Sequence, residues 1–219
     1  MGQARRNYAV NGDDAQRVPS APLPPFYPHR LIAIGASTGG PAAIEYLLKQ
    51  LDDRTVPIVI TQHMPGMFTR AFARRLDETN VLTVKEAESG DALLQGRVLI
   101  APGGLQMAVR RGAAGFIVEL SDGEPVNRHK PSVDFLFESV VAAAPPAALG
   151  ILLTGMGNDG ARGLLAMHDA GYPTLAQNEA TSAVWGMPRE AVKLGAVVEA
   201  GILSLEEIAI VMKNFAVQK

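Results

Sequence analysis

Arg30-Leu31-Ile32-Ala33-Ile34, running straight into Gly35-Ala36-Ser37-Thr38-Gly39-Gly40-Pro41, is the stretch whose reading decides the fold. The first five residues are a short apolar run, the pattern of a strand buried on both faces. Residues 35–40 form a glycine-rich turn. Pro41 then falls in the first turn of a helix predicted over 41–51, where its missing N–H does no harm. Strand, glycine turn and helix in immediate succession make the start of a parallel β–α unit.

The same alternation continues along the chain. Strands are predicted over 57–61, 81–84, 96–101, 149–153 and 172–176, and helices over 67–76, 132–143, 162–170, 187–194 and 204–214. Two further short strands, 108–111 and 115–119, are bracketed by Gly112 and Gly115 and read as a hairpin. The expected fold is α/β: a doubly wound, mostly parallel sheet with helices on both faces and a small antiparallel hairpin. Ala, Val, Leu and Ile supply the core, because 47% of the 219 residues are hydrophobic and only 5% aromatic. Residues 1–28 differ: a polar start and five prolines between Pro19 and Pro28 read as a disordered, Pro-rich tail. The folded domain is expected to span 29–219.

Composition excludes several functions. With no cysteine there is no disulfide, thiolate chemistry or cysteine-held zinc or iron–sulfur site. A net charge of -2 removes the usual reason to propose nucleic acid as a partner. No apolar run is long enough to cross a bilayer, and no secretory signal opens the chain, so the expectation is a soluble cytoplasmic protein.

In an open parallel sheet, ligands bind outside the carboxyl ends of the strands. Three predicted strand-end turns carry reactive groups: Ser37 after the first strand, His63 after the second, and Asp159 after 149–153. A hydroxyl, an imidazole and a carboxylate on one sheet edge are what a Ser-His-Asp hydrolase requires. Gly35-Ala36-Ser37-Thr38-Gly39 also fits the Gly-x-Ser-x-Gly nucleophile elbow, in which small neighbours let a serine sit exposed on a sharp turn. Free N–H groups of the helix after Pro41 would favour negative charge developing there.

Each feature alone has a plainer reading. A glycine turn before a helix is equally a phosphate cradle. The glycine spacing misses the dinucleotide fingerprint, and no Lys-Ser/Thr follows for a P-loop. His63 alone is a structural histidine, and Asp159 alone a helix N-cap. The order Ser…His…Asp departs from the Ser…Asp…His of α/β-hydrolases. Among the other histidines, His129 in Asn127-Arg128-His129-Lys130-Pro131-Ser132 sits in a polar loop and is expected to line a substrate cleft. No His-x-x-x-His pair is present, and neither metal nor cofactor is expected.

Taken together, Ile34-Gly35-Ala36-Ser37-Thr38-Gly39-Gly40-Pro41, Gln62-His63-Met64-Pro65 and Leu153-Thr154-Gly155-Met156-Gly157-Asn158-Asp159-Gly160 resemble the signatures of the CheB-type methylesterase domain. Ile100-Ala101-Pro102-Gly103-Gly104, Lys130-Pro131-Ser132-Val133-Asp134 and Gly186-Met187-Pro188-Arg189-Glu190-Ala191 match further family segments in the same order. The similarity runs from about residue 30 to 210.

The resemblance implies a chemotaxis-specific protein-glutamate methylesterase that hydrolyses glutamate γ-methyl esters of chemoreceptor cytoplasmic domains, with glutamine deamidation as a related activity. It makes Ser37 the nucleophile, His63 the base and then acid, and Asp159 its orienter. Thr38 corresponds to a threonine that helps hold the histidine. The oxyanion site resembles the backbone around Met156 together with the serine turn at Gly39. No cofactor is implied, and stable membrane insertion is not expected.

Two departures stand out. Family members carry an N-terminal receiver domain, which needs about a hundred residues. Fewer than thirty precede the domain here, so any control is expected to come from a separate regulatory protein or from expression level. Gln106 stands where the family has histidine, at a position expected to line the substrate cleft, so a methylesterase acting on a non-chemotaxis protein, or a non-catalytic scaffold of the same fold, is the alternative reading.

Overall fold

The computed structural model describes residues 30–217 of the chain; the predicted Pro-rich tail lies outside the described residues. Nine strands and six helices form the domain: β1 Arg30–Ala36, α1 Gly40–Leu48, β2 Ile58–Gln62, α2 Gly66–Thr79, β3 Thr83–Glu86, β4 Arg97–Ile100, β5 Gln106–Gly112, β6 Gly115–Ser121, α3 Val133–Ala143, β7 Ala147–Leu152, α4 Ala161–Asp169, β8 Thr174–Gln177, α5 Met187–Lys193, β9 Ile202–Leu203 and α6 Leu205–Val217.

Seven strands form one sheet in the order β3-β4-β2-β1-β7-β8-β9, and every neighbouring pair is parallel. The other two, β5 and β6, make the expected antiparallel hairpin, closing on Gly112 opposite Gly115. Strand β3 begins two residues later than predicted, because Val81 is exposed at the loop leading in. The two-residue β9 was beyond any periodicity argument, which needs about four residues to register.

Strand β1 explains why this becomes a layered sheet. Its side chains alternate between two fully buried environments. Leu31 and Ala33 join the core formed with α3, α4, α5 and the hairpin, including Leu136, Phe137, Leu164 and Val118. Ile32, Ile34 and Ala36 join the core under α1, α2 and α6, with Ile44, Leu47, Leu76 and Met212. A continuous apolar run is therefore required, and the sequence supplies one.

The chain leaves β1 toward β2 on one side and returns as β7 on the other. The strand order thus reverses at β1, and a crevice opens outside its carboxyl end. Ser37 is the first residue past β1.

Candidate active site

The register of β1 against β2 pairs Ala36 with Gln62. Ser37 and His63 are each the next residue along, so two adjacent parallel strands deliver them side by side. The His63 N–H donates to the Ala36 carbonyl at 3.0 Å, continuing the ladder one step. On the other flank of β1, the Ser37 N–H donates to the Thr154 carbonyl at 3.0 Å, just past β7.

The serine turn is fixed from several sides. The Gly40 N–H donates to the Ser37 carbonyl at 2.8 Å, and the same oxygen accepts from Gln62 Nε2 at 3.0 Å. Gln62 Nε2 also donates to the His63 carbonyl at 3.0 Å, so one buried amide ties both residues together. The Thr154 hydroxyl donates to the Thr38 carbonyl at 2.9 Å. Gly39 caps α1 with φ of 82°, and a β-carbon there would lie 2.5 Å from that of Ala183. Both the backbone conformation and the space demand glycine.

On the β7 side the loop 154–160 closes over the turn. A β-carbon on Gly155 would lie 2.7 Å from Ser37 Cβ, so the two backbones are in contact across the crevice. Met156 follows with its side chain 68% exposed, and no backbone hydrogen bond occupies its N–H among the described residues. Thr38 is exposed; it accepts a hydrogen bond through its carbonyl, and no bond joins it to His63 among the described residues.

His63 Nε2 lies 2.7 Å from Asp159 Oδ2. A carboxylate can only accept, so Nε2 carries the hydrogen and Nδ1 is left as the acceptor. Nδ1 is buried and has no partner among the described residues. The base nitrogen available to a hydroxyl is therefore Nδ1.

Asp159 is 1% exposed and accepts from every side. Its Oδ2 takes His63 Nε2–H and the Val133 N–H at 2.7 Å. Its Oδ1 takes Asn127 Nδ2 at 2.7 Å, Ser132 Oγ at 2.7 Å and the Asp134 N–H at 3.3 Å. Two of these donors are the first N–H groups of α3, so the carboxylate sits at that helix's N-terminus, where the dipole favours an anion. Asp159 does not cap the helix that follows it, since the cap of α4 is Gly160. Burial alone would raise its pKa; the bonds from His63, Asn127, Val133 and Ser132 prevail and lower it to about 2.

A second carboxylate lies behind the first. Asp134, 2% exposed, accepts from Asn127 Nδ2 at 2.6 Å and from the Gly163 N–H at 2.7 Å. Burial pushes its carboxyl up from the ordinary range, and the charge of Asp159 adds to this. Asn127 thus bridges two buried carboxylates with its two amide hydrogens.

Gln106 sits differently from expectation, whereas His129 is half-buried against the candidate base. The His129 ring lies flat on that of His63, with centroids 3.8 Å apart and 5° between planes. Gln106 does not line a cleft: it is 1% exposed. Its Oε1 accepts the Ser132 N–H at 2.8 Å, and its Nε2 donates to the carbonyls of His129 at 3.1 Å and Glu124 at 3.3 Å. A long amide inside the domain, its oxygen accepting and both amide hydrogens donated, is an internal brace for the loop 122–132.

Ser132 also touches Asp159, yet it is fully buried, caps α3 and spends its hydrogen on the carboxylate. It has no route to a substrate. His63, His129 and Asp159 each offer an atom within 4.8 Å of the others, a spacing that invites a metal reading. The donors do not fit one. Both Asp159 oxygens already accept, and parallel stacked rings aim their in-plane lone pairs side by side rather than at a common point.

Gln62, Asn127, Ser132 and Asp134 escaped the sequence reading. A glutamine ending an otherwise apolar strand is a signal for the first, since polar side chains in buried strands need a specific partner. The other three lie inside or beside the segment 127–134, whose pattern marked it without revealing which atoms meet.

The profile of the CheB methylesterase family matches residues 32–212. The chain is 53% identical over 180 residues to a protein-glutamate methylesterase/protein-glutamine glutaminase of Anaeromyxobacter dehalogenans, covering 82% of this chain and 50% of that protein. It is 55% identical over 181 residues to one from Chromobacterium violaceum, covering 82% and 50%. The chain spans about half the length of the curated relatives it matches. The crystal structure of the Thermotoga maritima CheB methylesterase catalytic domain superimposes with a TM-score of 0.79 at 31% identity, covering 85% of this chain and 98% of that one.

Proposed function

The chain belongs to the CheB methylesterase family, and from that premise we propose that it is a serine esterase hydrolysing glutamate γ-methyl esters on chemoreceptor cytoplasmic domains. The observation that carries the reading is the unpartnered Nδ1 of His63, one strand away from Ser37 and backed by Asp159 at 2.7 Å through the opposite ring nitrogen.

In this reading Ser37 Oγ attacks the ester carbonyl while His63 Nδ1 takes its proton. Asp159 stays ionised and stabilises the imidazolium through the Nε2 hydrogen. The oxyanion forms beside the free N–H of Met156, and a donor so placed is worth about 3 to 4 kcal/mol in the transition state. Collapse breaks the bond to methoxide, which leaves as methanol with the proton from Nδ1. Water then attacks the glutamyl–Ser37 ester, giving its proton to Nδ1. That proton returns to Ser37 Oγ as the glutamic acid side chain departs, and its carboxyl then gives the remaining water proton to solvent. The relatives' names also include glutaminase; a glutamine side chain would give the same acyl intermediate, with ammonia leaving instead of methanol.

A surface cleft of ≈ 650 Å³ lies beside Met156, lined also by Asn158, Glu179, Trp185 and Arg189, and in this reading it receives the substrate's side chain. Among the described residues no helix is long and apolar enough to cross a membrane.

The test is methanol release from methylated receptor membranes. The parent protein should release methanol, and a folded Ser37→Ala variant should lose about 10⁴-fold or more. Equal release from the two would overturn the assignment. A scaffold that merely kept the fold would instead show no His63-dependent labelling by a serine-directed phosphonate.

A further inference from the structure

Two non-glycine residues in succession, Asn127 and Arg128, have positive φ values of 50° and 67°. Across them Val126 and His129 pair in antiparallel fashion, with N–H···O distances of 3.1 and 2.8 Å. This is a two-residue hairpin turn of the left-handed kind, which glycine and asparagine adopt readily and arginine does not. The chain accepts that backbone where nothing in the ladder of the main sheet calls for it.

The turn brings two side chains to one place. From its first corner, Asn127 Nδ2 reaches Asp159 Oδ1 at 2.7 Å and Asp134 Oδ2 at 2.6 Å. From its far end, the His129 ring lies face to face with His63. The His63–Asp159 pair is therefore gripped at both members by a single turn of the loop before α3. Gln106 Nε2 anchors that loop at the His129 carbonyl.

We propose that the turn between Val126 and His129 is a positioning element of the esterase site: Asn127 fixes the Asp159 carboxylate, and His129 fixes the plane of the His63 ring. The proposal rests on the esterase reading above. Its physical content is orientation. A ring hinged only at Nε2 could tilt about that bond, and a flat neighbour at 3.8 Å removes the tilt, so Nδ1 meets the serine hydroxyl at one angle. The groups facing His129 are His63 and Asp159, from β2 and the loop after β7. Burial, then the charge of His63, hold the His129 imidazole below the ordinary histidine range, with Asp159 opposing. When His63 takes the proton, the stack so carries one positive charge and not two.

Four variants test this: Asn127→Gly, which keeps the left-handed backbone without the carboxamide; His129→Ala; His129→Phe, which keeps a flat ring; and Arg128→Gly as control. The readouts are kcat and KM for methanol release from methylated receptor membranes, and the downfield proton resonance of the His63–Asp159 hydrogen bond. Asn127→Gly and His129→Ala should lower kcat about 10- to 100-fold while KM moves less than about twofold. His129→Phe should stay within about threefold of the parent, and Arg128→Gly should match it. Parent-like kcat in Asn127→Gly and His129→Ala would overturn the proposal, as would a His129→Phe variant as slow as His129→Ala.

An inactive parent would overturn the esterase reading instead. The resonance then decides the positioning by itself. Its loss or broadening in Asn127→Gly and His129→Ala, with retention in His129→Phe, supports the proposal; an identical resonance in all variants overturns it.

Discussion

At the Ser37 end of the proposed relay the chain is held mainly by backbone contacts, whereas the Asp159 end is held by side chains together with the first N–H groups of α3. Ser37 is placed by ladder bonds to Thr154, a tight Ser37–Gly40 turn and the bare backbone of Gly155; one side chain, Gln62, joins its carbonyl. Asp159 is placed by Asn127, Ser132 and two N–H groups of α3, residues that belong to no strand of the main sheet. The difference follows from the chemistry each end must do. A nucleophile needs open space and a fixed backbone, which glycine and strand geometry supply. A buried carboxylate must stay ionised, which takes several aimed donors.

The largest effect should come from unbalancing the donor-rich end. Asp159→Asn puts an amide where two oxygens accept from five groups, so an N–H must face either His63 Nε2–H or the Ser132–Asn127 pair. The first arrangement drives His63 to the wrong tautomer, hydrogen on Nδ1, and a serine can no longer give up its proton there. kcat for methanol release should fall about 10⁴-fold while Ser37 stays in place. A variant retaining a tenth of parent activity would mean that the carboxylate does not set the tautomer.

This asymmetry also decided what could be read in advance. The parallel sheet, the hairpin and the three strand-end positions were legible because they rest on local pattern: apolar runs, glycine spacing, and turns that follow strands. Ser37, His63 and Asp159 fell on one sheet edge by topology alone. The cradle around Asp159 was not legible, because Asn127 and Asp159 are 32 positions apart and meet through a left-handed turn that no periodicity announces. Gln106 was misplaced for the same reason. The family resemblance put its position in a cleft, but a strand residue faces one side or the other, and here β5 turns it inward against Ser132.

A smaller effect should appear at the backbone-held end. Gly155→Ala would place a β-carbon 2.3 Å from Met187 Sδ and 2.7 Å from Ser37 Cβ. One side chain and one backbone must both give way, at a cost of about 3 kcal/mol in stability. Displacing Ser37 by about 1 Å would also lower kcat about 100-fold. Urea denaturation and methanol release report the two separately. A stability loss with unchanged kcat would show that the serine turn yields without moving its hydroxyl.

The smallest effect is a difference in acid sensitivity. The folded pKa of Asp159, about 2, lies below the ordinary 3.8. The native state thus binds its ionised form more tightly than the unfolded chain does. That contribution, about 2 kcal/mol, is present in full above the ordinary value and is lost as pH falls through the folded one. Asp134 runs the other way: its raised pKa gives a contribution present in acid and lost as pH rises through the folded value. The parent's acid response therefore contains two opposed carboxylates, of which Asp159→Asn removes one. Unfolding free energies of parent and variant, measured at about pH 6 and about pH 2.5, should converge by about 1.5 kcal/mol on acidification, the remainder being lost only below the folded value. The variant also relieves Asp134 of the neighbouring charge that helps to raise its pKa; parallel acid curves would mean that the donors around Asp159 hold its shape but not its charge.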